Sequence, residues 1–130
     1  MEGNRMIKNP KEAALLAAKV LTEKKAEDVV VLDISSISVL ADYFVIATGK
    51  SSIHVKALSD EVEEKLLENG CRIKGKEGYE EARWVLIDFF DVIVHVFDED
   101  SRDYYDLERL WSDAIRIDID SNFDFAYNKQ

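Results

Sequence analysis

The chain has 130 residues, 47% of them hydrophobic and 34% charged, with one cysteine, one proline and five glycines. That length buries one modest core and leaves no room for two. Seventeen Lys and Arg against twenty-seven Asp and Glu give a net charge of -10, which excludes nucleic-acid binding through bulk charge. The acid is concentrated late: residues 98–124 carry ten acids and three arginines. A lone Cys71 excludes a disulfide framework and a cysteine-rich zinc site, and fits a reducing compartment. The longest apolar run, Ala13–Ala18, is too short to span a bilayer, and the first eight residues hold no hydrophobic run of the secretory kind. A soluble, cytoplasmic domain with no membrane partner is the expectation.

Ala13, Leu16, Ala17, Val20 and Leu21 fall at i, i+3, i+4, i+7 and i+8, one stripe of a helix. Asn9-Pro10 starts it, with Asn9 as cap and Pro10 at the first helical position. Val29–Ile34 is a β-branched run that predicts a buried strand, and Asp42–Thr48 predicts a second. Gly49-Lys50-Ser51-Ser52 then turns the chain into a helix carrying Val55, Leu58, Val62 and Leu66 on one face, with Asn69-Gly70 as its stop. Cys71–Lys76 alternates like a half-exposed strand.

Arg83–Phe89 and Val92–Phe97 predict an antiparallel hairpin turning at Phe90-Asp91, with 88 opposite 93, 86 opposite 95 and 84 opposite 97. Val85, Ile87, Phe89, Val92, Val94 and Val96 would then form one apolar face. Trp84, Leu86, Asp88, Ile93, His95 and Phe97 would form a mixed face, the better candidate for a functional surface. A last helix is expected from Asp106, with Leu107, Leu110, Trp111, Ala114 and Ile115 as its stripe. The fold class is α+β (mixed α/β), a single domain over residues 1–117 with a five-stranded mixed sheet and helices packed on it. Residues 118–130 read as a flexible tail.

Enzyme signals are weak. Gly49–Ser52 stands between a strand and a helix, as phosphate-binding loops do, but lacks the spacing of either known fingerprint; a glycine turn followed by a serine cap explains it as well. Asp98-Glu99-Asp100 and Asp118-Ile119-Asp120 offer paired carboxylates of the kind a divalent metal needs, yet such pairs are expected by chance in so acidic a chain. With only His54 and His95, a two-histidine metal motif at helical spacing is impossible. His95 would be a general base only if Asp88 oriented it, and Cys71 lacks a histidine partner. Arg72, Lys74 and Lys76 on one side of a strand offer a small RNA-contacting strip. Ser101–Trp111 differs in kind: Tyr104 and Tyr105 are adjacent, so at least one should be exposed, and Tyr and Trp dominate binding hot spots.

Five stretches in register resemble the Iojap-type ribosomal silencing factors. They are Val31-Leu-Asp33-Ile-Ser35, Ala41–Gly49 with Ser51 and His54, Trp84–Asp88, Val94-His-Val-Phe97, and Arg102–Glu108 through Leu110-Trp111 to Asp113-Ala114, together spanning about residues 12–114. The resemblance implies a nucleotidyltransferase-like topology without catalysis and without a cofactor or metal. It implies binding to the large ribosomal subunit through its fourteenth protein, a steric block to joining of the small subunit, and homodimerisation of the free protein. Direct sequence-specific nucleic-acid binding is not implied. Carried over by position, the partner-facing residues are Trp84, Tyr104, Tyr105, Leu107 and Glu108. The family usually has Gly at the hairpin turn, where this chain has Phe90, so a positive φ there would be strained. The competing class is a nucleotidyltransferase-like enzyme using Gly49–Ser52 and an acidic pair.

Overall fold

The computed structural model describes residues 6–120. Helix α1, Pro10–Glu23, begins where Asn9 accepts a hydrogen bond from the Glu12 N–H and Pro10 fills the first turn. Helix α2, Ser52–Glu68, begins where the Ser51 hydroxyl accepts from the His54 N–H. It ends at Asn69, followed by Gly70 at φ +95°. The cap residues at both helices therefore do what their types favour.

Six strands form one mixed sheet in the order β3-β4-β5-β2-β1-β6. They are β1 Glu27–Asp33, β2 Tyr43–Thr48, β3 Gly75–Glu77, β4 Trp84–Asp88, β5 Val92–Phe97 and β6 Ile115–Arg116. The β2–β5 pair is parallel and the other four are antiparallel. The chain returns from β2 to the parallel β5 by way of α2 and the β3–β4 hairpin. β5 is buried along its whole length, as a strand covered on both faces must be, which is why it reads as an almost unbroken apolar run.

On one face Val31, Val45, Ala47, Val85, Ile87, Phe89, Val92, Val94 and Val96 pack against the apolar stripes of α1 and α2. Each fully buried Val, Leu or Ile of this layer contributes roughly 1.5–3 kcal/mol of transfer free energy. The hairpin register is the expected one, with 88 opposite 93, 86 opposite 95 and 84 opposite 97, and its valine face lies in this core. The opposite face is a second core of Val30, Leu32, Ile34, Phe44, Ile46, Ile93, Phe97 and Leu107, with Trp84, Leu86, Trp111 and Ala114 packed on it. The β5 half of the mixed hairpin face, Ile93, His95 and Phe97, is thus interior, while Trp84, Leu86 and Asp88 on β4 are half-buried.

Three expectations need correction. The sheet has six strands, not five: Ile115–Arg116, assigned to the last helix, pairs with Leu32 and Asp33 at the β1 edge. The strand expected at Cys71–Lys76 starts only at Gly75, because the Cys71 N–H still closes α2 through the Leu66 carbonyl. The last helix is two: α3, Glu99–Tyr105, and α4, Leu107–Leu110, separated by Asp106 in the left-handed region at φ 48°. Of the proposed stripe, Leu107, Trp111 and Ala114 pack inward, whereas Leu110 and Ile115 are exposed. Four residues of helix need no longer apolar period than that.

The turn at Phe90-Asp91 is the tight one. The Phe89 N–H donates to the Val92 carbonyl, and Phe90 takes φ 75°. That strain is offset by two contacts: the Asp88 carboxylate accepts from the Phe90 N–H, and the Arg72 guanidinium lies 4.8 Å over the Phe90 ring. At the far end of the chain, Ile117 and Ile119 pack against the first core. The remainder of the expected tail, 121–130, lies outside the described residues.

Candidate functional site

The site begins with how α3 is held. Asp98 caps it by accepting from the Ser101 N–H, and Glu99 and Asp100 occupy its first turn. Arg102 is then carried into the interior, where its guanidinium uses four hydrogen bonds. Nε and Nη2 donate to the two carboxylate oxygens of Glu108 at 3.0 and 2.9 Å, Nη1 donates to Thr48 Oγ1 at 2.8 Å, and Nη2 also donates to the Asp28 carbonyl at 2.9 Å. Asp28 sits at φ 51° in the irregularity of the β1 ladder between Glu27 and Val30. A ladder break of this kind frees a carbonyl for another partner. One side chain therefore ties α3 to α4 and to the ends of β1 and β2. The bonded Arg102 guanidinium holds the Glu108 carboxyl below the usual carboxylate range, against the upward push of burial, with Arg116 assisting.

Two and three residues past Arg102, Tyr104 and Tyr105 stand 81% and 47% exposed. Their rings meet edge to face at 5.0 Å. Tyr105 lies 4.6 Å from Trp84, which stacks at 5.0 Å on the buried Phe97. The aromatic column thus runs from the second core to the surface. It forms one wall of an open groove of about 530 Å³ also lined by Gly78, Glu81, Arg83 and Asp100. Gly78 takes φ +82°, and a Cβ there would come 2.1 Å from the Trp84 carbonyl oxygen, so only glycine allows this loop to close so tightly on β4.

The model of the family described as ribosomal silencing factor during starvation matches residues 7–130. The chain belongs to this family. A ribosomal silencing factor of Bacillus subtilis is 47% identical over 112 residues, covering 86% of this chain and 95% of its own. The mitochondrial Iojap-related protein of Arabidopsis thaliana is 33% identical over 99 residues, covering 72% of this chain and 53% of its own. The crystal structure of a protein from Chromobacterium violaceum superposes with a TM-score of 0.79 at 43% identity, covering 81% of this chain and 88% of that one.

The structure of this silencing-factor family member brings Trp84, Tyr104 and Tyr105 together and sets the other two expected contact residues apart. Leu107 is only 8% exposed and belongs to the second core. Glu108 has its carboxylate committed to Arg102. Arg102 was not singled out by sequence reasoning, and neither was the true partner of His95. His95 Nδ1 accepts from the Trp84 indole N–H at 3.1 Å, while the Asp88 carboxylate expected to orient it is bonded at the turn instead.

The other candidates resolve into local structure. Gly49 packs where an added Cβ would lie 2.8 Å from Val55. The Lys50 N–H donates to His54 Nδ1, whose Nε2 meets the Lys24 carbonyl, and the Ser51 hydroxyl caps α2. His54 thereby laces the loop to the end of α1, and the Gly49, Lys50 and His54 N–H groups are used internally. Among the described residues no group of three His, Cys, Asp or Glu is arranged to hold a metal. Lys76 lies 2.7 Å from Glu63 and 4.5 Å over the Tyr79 ring. With Arg72 stacked on Phe90, two of the three cations of the RNA-contacting strip are engaged within the chain.

Proposed function

We propose that this protein represses translation by binding the large ribosomal subunit through its fourteenth protein and sterically blocking joining of the small subunit. The observation that carries the reading is the exposed column Trp84–Tyr105–Tyr104 beside a groove rimmed by Glu81 and Asp100. Rigid aromatics with polar tips, framed by carboxylates, suit a cationic protein surface better than a phosphate backbone. In this reading the protein works in the cytoplasm, needs no cofactor and performs no chemistry; free protein pairs as a homodimer. The nucleotidyltransferase-like topology implied by the resemblance would be a scaffold only.

Sedimentation tests it. Isolated small and large subunits are mixed with and without the protein and resolved on a gradient. The joined-particle peak should fall as protein is added, and a Trp84→Ala/Tyr104→Ala double variant should neither co-sediment with large subunits nor suppress that peak. Undiminished joining with the native protein rejects the function; undiminished co-sedimentation of the double variant rejects the site.

A further inference from the structure

His95 is an unusual tenant of the second core. It is 3% exposed on β5, where an apolar residue would satisfy the packing of neighbouring Ile93 and Phe97. Trp84 and His95 are diagonal neighbours across the β4–β5 ladder. Because Nδ1 accepts from the indole N–H, the neutral ring must carry its proton on Nε2. Among the described residues that Nε2 has no hydrogen-bond partner. The rings packed around the imidazole are Phe44 at 4.6 Å and 72°, Trp84 at 5.9 Å and Phe97 at 6.3 Å. A buried, unsatisfied N–H is a net cost to the fold. What the histidine supplies, and Phe or Leu cannot, is an in-plane acceptor for an indole that has only a donor to offer.

We propose that His95 is a positioning residue for the docking surface: its Nε2–H tautomer presents Nδ1 as a fixed acceptor that locks the Trp84 indole in the orientation on which Tyr105 packs. The inference rests on the docking reading above and adds the residue that shapes it. Burial pushes the His95 pKa down to about 3, so the acceptor persists throughout the neutral and mildly acid range. A protonated Nδ1 would instead set donor against donor.

Nitrogen-15 correlation spectra of the native protein read the lock directly. At pH 7 His95 should show an unprotonated Nδ1 and a protonated Nε2, and the Trp84 indole N–H should exchange slowly; the Trp84→Phe variant assigns that peak against Trp111. An Nδ1–H tautomer, an imidazolium, or free-solvent exchange of the indole overturns the proposal. Two substitutions then separate positioning from packing. His95→Phe keeps an aromatic ring and removes the acceptor, whereas His95→Asn places an amide oxygen where Nδ1 stood and gives up half the ring. Indole exchange in His95→Phe should quicken roughly tenfold or more, and binding to large subunits should weaken about tenfold. His95→Asn should recover most of the binding despite a lower melting temperature than His95→Phe. Affinities that follow the melting temperatures overturn the proposal. Full binding by Trp84→Ala rejects the docking reading itself, whereas full binding by His95→Phe alongside lost binding by Trp84→Ala rejects only this inference.

Discussion

Arg102→Met isolates the clamp that holds the tyrosine-bearing helix. Methionine keeps an unbranched apolar stem in place, so the loss is polar: two bonds to Glu108, one to the Thr48 hydroxyl and one to the Asp28 carbonyl. Removing one partner of a buried ion pair costs about 3–5 kcal/mol. The Glu108 side chain retains 32% exposure and can turn toward water, whereas Thr48 is buried and cannot. The expected loss is therefore about 2–3 kcal/mol, of which roughly 1 kcal/mol is the stranded hydroxyl. Against a typical total of about 5–15 kcal/mol that is a large share. Glu108→Gln keeps one acceptor and should cost about 1 kcal/mol. The double variant should fall short of the sum by about 1 kcal/mol, because the pair can be broken only once. Urea unfolding followed by circular dichroism at pH 7 measures all three. A loss below about 0.5 kcal/mol for Arg102→Met, or strict additivity, would refute the clamp. The pH dependence has a fixed sign. The Glu108 carboxyl lies lower in the folded than in the unfolded chain, so its contribution is complete above the unfolded value and fades as pH falls through the folded one. The gap between native protein and Glu108→Gln should close in acid; a gap that widens there contradicts the assignment.

Other perturbations reach different links of the chain. Gly78→Ala forces a side chain to φ +82° and against the Trp84 carbonyl, so it should destabilise by about 2 kcal/mol or more and weaken large-subunit binding by displacing the groove wall; a neutral result on both counts would remove the reason given for glycine. Ser51→Ala deletes the α2 cap and should cost about 1 kcal/mol in thermal or urea unfolding while leaving the proposed docking surface untouched. Burial pushes the Cys71 thiol up, so iodoacetamide at pH 8 should alkylate it more slowly than free cysteine and at the ordinary rate in denaturant; equal rates in the folded protein would argue against the half-buried placement.

Short-range patterns carry the hairpin, α1 and α2, since period-2 and period-3.6 spacing report directly on burial. The valine face of β4–β5 is legible because every second residue from Val85 to Phe89 and from Val92 to Val96 is apolar. The α3 helix is not legible that way. Glu99–Tyr105 has no apolar period, and it is helical because Asp98 caps it and Arg102 anchors it from inside. The stripe from Leu107 to Ile115 matches helical spacing, yet two of its five members face solvent and Ile115 pairs with a strand that is distant in sequence. The tyrosine pair is legible as surface because adjacent aromatics beside a helix end cannot both point inward. Arg102 with Glu108, six residues apart across a left-handed Asp106, obeys no local rule, and its Thr48 and Asp28 partners lie 54 and 74 residues away. The Trp84–His95 bond is implicit in the hairpin register, which places both side chains on one face, but register alone does not say that Asp88 would be drawn off to the turn.

Charge distribution then bears on what kind of surface the groove can meet. Phosphate backbones are held by free cations aligned along a groove. Here Lys76 is paired with Glu63 and Arg72 lies over Phe90. The aromatic column instead has Glu81 and Asp100 with Arg83 on its groove, and Asp103 and Asp106 with Arg109 around Tyr104, so carboxylates outnumber cations among the described residues there. Approaching RNA would be repelled at this rim, while a basic protein patch would be drawn to it and then held by desolvated tyrosine and tryptophan. Under the proposed function, the acidity that excludes RNA binding by bulk charge would steer the protein toward a cationic protein patch on a particle made largely of RNA. Discrimination of that kind comes as much from what the rim repels as from what the aromatic column attracts.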